Sequence, residues 1–350
     1  MNKSAILKTG VFKWITQTRL YRNIGYRRFA KERMGWIYEE AMAKFDSLGK
    51  NDLREKYKSC FPEALVSFSE FMYQYEFWKL SKEEQREFVS RLELRLWYQR
   101  NNPKYLHPLF WNKGNWLRRF NRFVKRRWID LDQLSYADFL KWVSGGKEFI
   151  AKPSEGSLGA GIFKFTPTEI SREWFDELRE QKYIIEDCVY NVDSIGSFHP
   201  QSLNTIRVTT IGASGDILGS FFRVGKGGNI IDNAHAGGIF ITVNPETGCL
   251  IGDGIDTDGN SYSCHPDTGK KFNGFCLPYW DDIVRLVKEL HSEVPDAPII
   301  GWDIAVTSNG IDVIEGNHLP DFDVLQSPQK IGIRAKVNNM LKKGGFPIVE

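Results

Sequence analysis

Long apolar runs are missing from this chain of 350 residues. None approaches the roughly 18 to 20 apolar residues that a membrane-crossing helix needs. The opening MNKSAILKTGVFKW is interrupted at Lys8, before it reaches the length of a signal-peptide apolar core. The expectation is a cytoplasmic protein, at most peripheral at the inner face of a membrane. Cysteine is scarce as well. Cys60, Cys188, Cys249, Cys264 and Cys276 make an odd set of five with no Cys-x-x-Cys pair. That spacing argues against a zinc ribbon and predicts reduced, structural thiols. Cys264-His265 has no second pair of ligands at matching spacing, so it reads as packing rather than a metal site. Internal repeats and low-complexity segments are absent too.

What is present is unevenly spread. The chain is 41% hydrophobic and 14% aromatic, enough for packed cores and two or three domains. Net charge is only +3, yet residues 1 to 35 hold nine Lys or Arg against Glu32 alone, interleaved with Phe12, Trp14, Tyr21, Tyr26 and Phe29. A second basic patch, KGNWLRRFNRFVKRR, covers 113 to 127. Three readings of such a pattern stand open: an amphipathic helix with a solvated face, attachment to an anionic membrane, and nucleic-acid binding, the last being the weakest. Residues 1 to about 105 carry helical spacings, and SKEEQREFVSRLELRLWYQ (81 to 99) reads as one helix. Ser81 and Glu84 form its capping box, and Phe88, Leu92 and Leu96 its stripe. From Phe149 onward β-branched strands alternate with short glycine turns, and helices return near 171–181, 281–292 and 328–343. The fold class is α+β rather than a parallel dinucleotide-binding sheet.

Three stretches carry chemistry. FIAKPSEGSLGAGIFKF (149 to 165) places Gly156, Gly159 and Gly161 between two strands. No Gly-Lys-Ser/Thr follows, so it is not a P-loop. A glycine hairpin tip of this kind is a flap whose backbone N–H groups can turn to an anion, with Lys152 entering just before it. NTIRVTTIGASGDILGSFFRVGKGG reads as a hairpin with Arg207 and Arg223 on paired strands, and an arginine inside an apolar strand is usually paired or functional. WDIAVTSNGIDVIEGNHLP (302 to 320) is a further hairpin. A two-residue turn at Asn309-Gly310 would put Asp303 and Glu315 on opposite faces. A three-residue turn over 308 to 310 pairs Thr307 with Ile311 and sets the two acids face to face, with Asn317 on the same side. Facing carboxylates repel. An all-oxygen set of Asp303, Glu315 and Asn317 suits Mg²⁺.

In this order the motifs resemble the ATP-grasp superfamily, in particular its sugar-transfer-associated branch, related to α-L-glutamate ligases. HPQSLNTIRVTT, DNAHAGGIFITVNPETG and GWDIAVTSNGIDVIEGNHLP carry the resemblance, which covers roughly 105 to 340. It implies an ATP-grasp fold, two α+β subdomains clamping ATP, behind a helical N-terminal region. The expected divisions are 1–105 (helical), 106–187 (flap subdomain) and 188–350 (C-terminal subdomain with the magnesium site). By resemblance Lys113 and Lys152 are nucleotide lysines, and Ser157 and Gly159 belong to the phosphate flap. Glu186, Asp187 and Val189 form the adenine hinge, and Asp193 is the candidate ribose acid. Arg207, Arg223 and Asn233 surround the reacting phosphate, and Asp303, Glu315 and Asn317 hold magnesium. The first hundred residues depart from the family, where a Rossmann-like domain is usual.

The resemblance implies ATP- and Mg²⁺-dependent joining of a carboxylate to an amine through an acyl phosphate. The substrates would be an amino acid and a sugar or sugar acid of a capsule or O-antigen. Its partners would be small-molecule or glycan substrates, with residues 1 to 35 touching an anionic membrane or lipid-linked glycan. A kinase acting on a sugar or small metabolite and a non-catalytic nucleotide-binding adaptor are the alternatives.

Overall fold

The structure, a computed structural model, describes residues 19–156, 159–228 and 237–349. It divides into two compact units. One comprises the described residues up to Asn102 together with Asp321–Asn338 and Pro347–Val349; the other comprises Pro103–Pro320 and Asn339–Phe346. The first unit thus takes in two short segments from the far end of the chain, which the sequence reading grouped with the C-terminal subdomain.

The first unit is helical. Its helices include Arg19–Leu48, Asn51–Ala64, Lys82–Arg86 and Arg91–Asn101. Their core is aromatic, built on Phe45, Tyr57, Phe71, Tyr75 and Phe77. The expected single helix over 81–99 is corrected to two. Ser81 and Glu84 do form the capping box, but the helix stops at Arg86 and Ser90 caps a second start through the Glu93 N–H. The break lets the Val89 N–H donate to Gln326 Oε1 at 3.0 Å. A buried side chain won over local helix propensity there.

The second unit holds two antiparallel sheets. The smaller contains β1 (Trp128–Asp130), β2 (Phe149–Pro153), β3 (Phe163–Phe165) and β4 (Tyr183–Asp187), in the order β1-β4-β2-β3. Its buried side meets the helices Tyr136–Val143 and Arg172–Glu180, capped by Ser135 and Ser171. The larger sheet contains β5 (Thr205–Ile211), β6 (Asp216–Val224), β7 (Ile239–Val243), β8 (Leu250–Ile255), β9 (Ser261–Tyr262), β10 (Ile299–Thr307) and β11 (Gly310–Asn317). Its order is β11-β10-β5-β6-β7-β8-β9. One of its faces packs on the helices Trp280–Ser292 and Lys113–Phe120, around Trp302, Phe222 and Ile304. Period-2 burial decides which face each residue serves.

One further expectation, that all the cysteines are reduced, is corrected here. Cys249 and Cys276 form a disulfide, 27 residues apart, because an antiparallel bridge sets them opposite each other. No local spacing motif announces such a pair. Cys60, Cys188 and Cys264 are free thiols. The basic patch at 113–127 is neutralised: Arg118 pairs with Asp130, Arg119 and Arg122 with Glu293, Arg126 with Glu186, and Arg127 with Asp187. Arginines committed to internal acids leave little of that stretch for nucleic-acid phosphates. Among the described residues no helix is long and apolar enough to cross a membrane. Lys3, Lys8, Lys13, Phe12 and Trp14 lie outside the described residues.

Gly316 faces Trp302 across the β10–β11 pair. A Cβ there would lie 2.6 Å from Phe110 Cε1 and 2.9 Å from Trp116 Nε1. Gly316→Ala is expected to cost about 1–3 kcal/mol by overpacking. Urea unfolding should show a lower midpoint at unchanged slope; an unshifted midpoint would mean the rings can move aside.

Candidate functional site

The facing acids are where the site begins. Asp303 pairs directly with Glu315, and Gly301 with Asn317, so the two acids and the amide share one face. The expected opposition is present, but the turn that produces it differs. Thr307 pairs with Gly310, so the turn is two residues, Ser308 and Asn309. The register then runs regularly to Ile304↔Val313 and slips by one between Ile304 and Asp303. Ile314 is the extra residue of a β-bulge. Without it Glu315 would oppose Trp302 and point into the apolar core.

Asp303 is 1% exposed and holds two arginines. Arg207 donates to both of its oxygens, through Nε to Oδ1 and through Nη2 to Oδ2 at 2.7 Å. Arg223 Nη2 lies 3.2 Å from Oδ2, and its Nε donates to Thr205 Oγ1 at 3.0 Å. Burial alone would raise the Asp303 carboxyl, but the two guanidiniums hold it well below the usual range. Glu315 goes the other way. Burial and the neighbouring Asp303 charge push it up, and the two share a side-chain hydrogen bond. The two carboxyls are thus driven apart, Asp303 toward its ionised form and Glu315 toward its neutral one.

Over the smaller sheet, Lys152 Nζ donates to Glu186 Oε2 at 2.7 Å, and Arg126 Nε donates to the same oxygen at 2.6 Å. Burial opposes the Glu186 charge, but Arg126 and Lys152 outweigh it and hold the carboxyl at about 2. Lys113 Nζ donates to the Gly156 carbonyl at 3.1 Å. Burial lowers its ammonium; Glu315 and Glu186 pull the other way and Lys152 adds to the lowering. Lys113, Lys152, Glu186 and Glu315 therefore lie within electrostatic reach of one another.

The glycine tip behaves as its sequence implies: Gly156, Gly159 and Gly161 all adopt positive φ, at 115°, 78° and 74°. Ser157 and Asn233 lie outside the described residues. At the hinge the Glu186 carboxylate is committed to its two cations, and Asp187 accepts two bonds from Arg127 at 2.8 Å. Both side chains are thus held by cations of the protein. Val189 lines cavities on both of its sides. One, about 370 Å³, is also lined by Ile150, Asp193, Ser197 and Gln201. The other, about 400 Å³, is also lined by Lys125, Arg127 and Lys147. Asp193 stands at the start of the helix Asp193–Gly196, exposed toward the first cavity.

Among the described residues no three His, Cys, Asp or Glu cluster as a metal site. The pair Asp303–Glu315 plus Asn317 is nevertheless an all-oxygen set, and two carboxyls set face to face mark a place where added positive charge is favourable. That donor set fits Mg²⁺, which takes few protein ligands. Asn317 Oδ1 accepts from the Leu319 N–H at 2.9 Å, which fixes the amide orientation.

Sequence reasoning missed Arg126 and Asp312. Both are 6% exposed or less and bond to each other at 3.2 Å. Arg126 sits in a run of basic residues that looks uniformly solvent-facing, and only the ladder shows which one turns inward.

Residues 176–342 match the family model described as sugar-transfer associated ATP-grasp. Over those residues, just under half of its length, the chain is similar to that family. No curated protein matches it significantly. Among solved structures it is similar to the ATP-grasp ligase PsnB complexed with a phosphomimetic variant of its minimal precursor, Mg and ADP. That match has 12% identity over 73% of this chain and 67% of that one, with a TM-score of 0.43. A D-alanine–D-alanine ligase from Bacillus anthracis complexed with ATP is 12% identical over 67% and 66% of the two chains, with a TM-score of 0.41. A Chryseobacterium gregarium RiPP-associated ATP-grasp ligase in complex with ADP and a leader and core peptide is 13% identical over 71% and 64%, with a TM-score of 0.43.

The Glu186 carboxyl gives a pH test. Its folded value of about 2 lies below its ordinary 4.5. The stabilisation is therefore complete above pH 4.5 and lost as pH falls through about 2. Glu186→Gln takes the acid partner from Lys152 and one of two from the buried Arg126, and is expected to cost about 3–5 kcal/mol at neutral pH. In urea titrations across pH, the gap between wild type and variant should close between 4.5 and 2. A gap that stays constant through that window would show that the carboxylate is not held by its cations.

Proposed function

We propose that the protein is an ATP- and Mg²⁺-dependent carboxylate–amine ligase that works through an acyl phosphate. The observation that carries this reading is the cross-strand pair of buried Asp303 and exposed Glu315, which shares a face with Asn317 and two arginines. Asp303, Glu315 and Asn317 hold magnesium, which when bound neutralises charge on the transferring phosphoryl group.

Lys113 and Lys152 meet the nucleotide phosphates. The Val189 backbone meets adenine, and Asp193 meets the ribose. A substrate carboxylate oxygen forms a bond to the γ-phosphorus as the bond to ADP breaks. Arg207 and Arg223 orient that carboxylate and offset its charge, with Asn233 beside them. The amine then forms a C–N bond to the acyl carbon, the C–O bond to phosphate breaks, and the amine proton leaves with solvent. The glycine flap, with Ser157 and Gly159, shields the acyl phosphate from water.

The substrate reading is an amino acid joined to a sugar or sugar acid in surface-polysaccharide assembly, supported by the description of the matched family. Residues 1 to 35 carry the charge to approach an anionic surface or lipid-linked glycan from the cytoplasm, since each basic side chain near such a surface adds about 1 kcal/mol. Co-sedimentation with anionic vesicles should fall with salt for the whole chain and be absent for a chain lacking 1–35. Equal, negligible binding by both would remove this part of the reading.

The central experiment screens amino acids against uronic and amino sugars and measures ADP and phosphate together. Equal release of both supports a ligase, and ADP without phosphate would make the protein a kinase. Glu315→Gln is expected to lower ADP release by at least about a hundredfold, as loss of one charge-stabilising group does, while circular dichroism stays unchanged. Release at the wild-type rate would remove Glu315 from the metal site.

A further inference from the structure

We infer that Arg126 is the positioning residue of this site: it holds the bulge that turns Glu315 toward Asp303, and it ties that bulge to Glu186 and Lys152. The inference deepens the ligase reading and takes its catalytic meaning from it, but its geometry stands apart.

In a regular strand, consecutive carbonyls point to opposite edges. A single side chain lying along one edge therefore reaches every second one. Arg126 nevertheless accepts two in succession as partners, donating from Nη1 to the Val313 oxygen at 2.8 Å and from Nη2 to the Ile314 oxygen at 2.9 Å. Only a bulge turns both to one side, and the bulge lies at Ile314. β11 is the edge of its sheet, so no other strand competes for those carbonyls. Nη1 also meets Asp312 Oδ2 at 3.2 Å, and Nε meets Glu186 Oε2 at 2.6 Å. Lys125 closes the same corner by donating its backbone N–H to Asp312 Oδ1 at 2.9 Å.

The geometric consequence is strict. Regular pairing would set Trp302 against Glu315, on the face where Trp302, Ile304 and Val313 have no exposure. The bulge replaces that arrangement with Gly316 against Trp302 and Glu315 against Asp303. A guanidinium has five donors in a fixed fork and can span two carbonyls and two carboxylates. A lysine retains the charge but not the fork. Glu186 in turn receives Lys152, so the grip on the acid pair and the placement of a proposed phosphate lysine share one atom, Glu186 Oε2.

The test compares Arg126→Lys with Arg334→Lys in the full chain. Arg334 donates two bonds to Glu93 in the helical unit and serves as the control for a general loss of stability. Hydrogen exchange of the amides 313–317 is read first. Loss of charge-assisted bonds should speed it roughly tenfold or more in Arg126→Lys, and not in the control. ADP release is read second: the Mg²⁺ concentration for half-maximal rate should rise roughly tenfold, with little change in KM for ATP. Exchange and Mg²⁺ dependence matching the control would overturn the proposal. If the wild type releases no ADP with any substrate pair, the ligase reading fails, while the exchange comparison still decides the positioning role. Should Arg126→Lys not fold, deletion of Ile314 decides. It removes the bulge yet leaves the glutamate opposite Asp303, so Arg126→Lys should fold on that background. Failure there too would overturn the proposal.

Discussion

A buried guanidinium must be answered on every side, and the one at Arg126 is answered by two carboxylates and two successive carbonyls. Its partners come from β4 of the smaller sheet and β11 of the larger. The two sheets of the second unit are thereby joined by polar contacts, beside the apolar packing of Ile184 on the core of the larger sheet. Removing either class of partner would strand charge in a place water does not reach, which costs several kcal/mol. The strand pair carrying Asp303 and Glu315 inherits its offset from this contact, and the arginines on Asp303 inherit theirs from the acid.

The sequence shows the alternation of the acidic hairpin plainly, because a period of two needs only a buried face and an exposed one. It shows less of the turn. Asn309-Gly310 is a strong two-residue turn signal, yet the chain turns one residue earlier, at Ser308-Asn309, and recovers the offset with a bulge. The pairing of Asp303 with Glu315 was legible because both routes give the same sum; the bulge was not, because it answers to Trp302, Phe110 and an arginine nearly two hundred positions away. The capping box at Ser81 was legible for a similar reason, being local. The end of that helix depended on Gln326, which no local pattern announces. The disulfide is of the same kind: it needs an antiparallel bridge before Cys249 and Cys276 mean anything to each other.

The electrostatic pattern also separates positions of like appearance. KRR at 125–127 looks like one basic tract, but its members have three fates. Lys125 closes on Asn309, Arg126 is buried, and Arg127 grips Asp187 at the surface. The hinge acids divide in the same way. Resemblance marks Glu186 and Asp187 as adenine residues. Their side chains are held instead by Arg126 and Lys152 on Glu186 and by Arg127 on Asp187.

Buried ion pairs seldom stabilise a fold relative to apolar residues of the same volume, and this unit buries two connected sets of them. One is Arg126, Lys152, Glu186 and Asp312; the other is Arg207, Arg223 and Asp303, with the exposed Glu315 opposite Asp303. In each set the acid nearest the arginines is held charged, and in the second Glu315 is pushed toward its neutral form. With Lys113 beside them, the cations outnumber the ionised acids. Such an excess is unfavourable in a protein that keeps the space to itself. On the proposed reading it would become favourable once a polyanion accompanied by a divalent cation arrives, because the anion would answer the lysines and arginines and the cation would answer the acid pair. On the proposed reading, the cost of burying Arg126, Glu186, Arg207 and Asp303 is the preorganisation of a site for phosphate with metal.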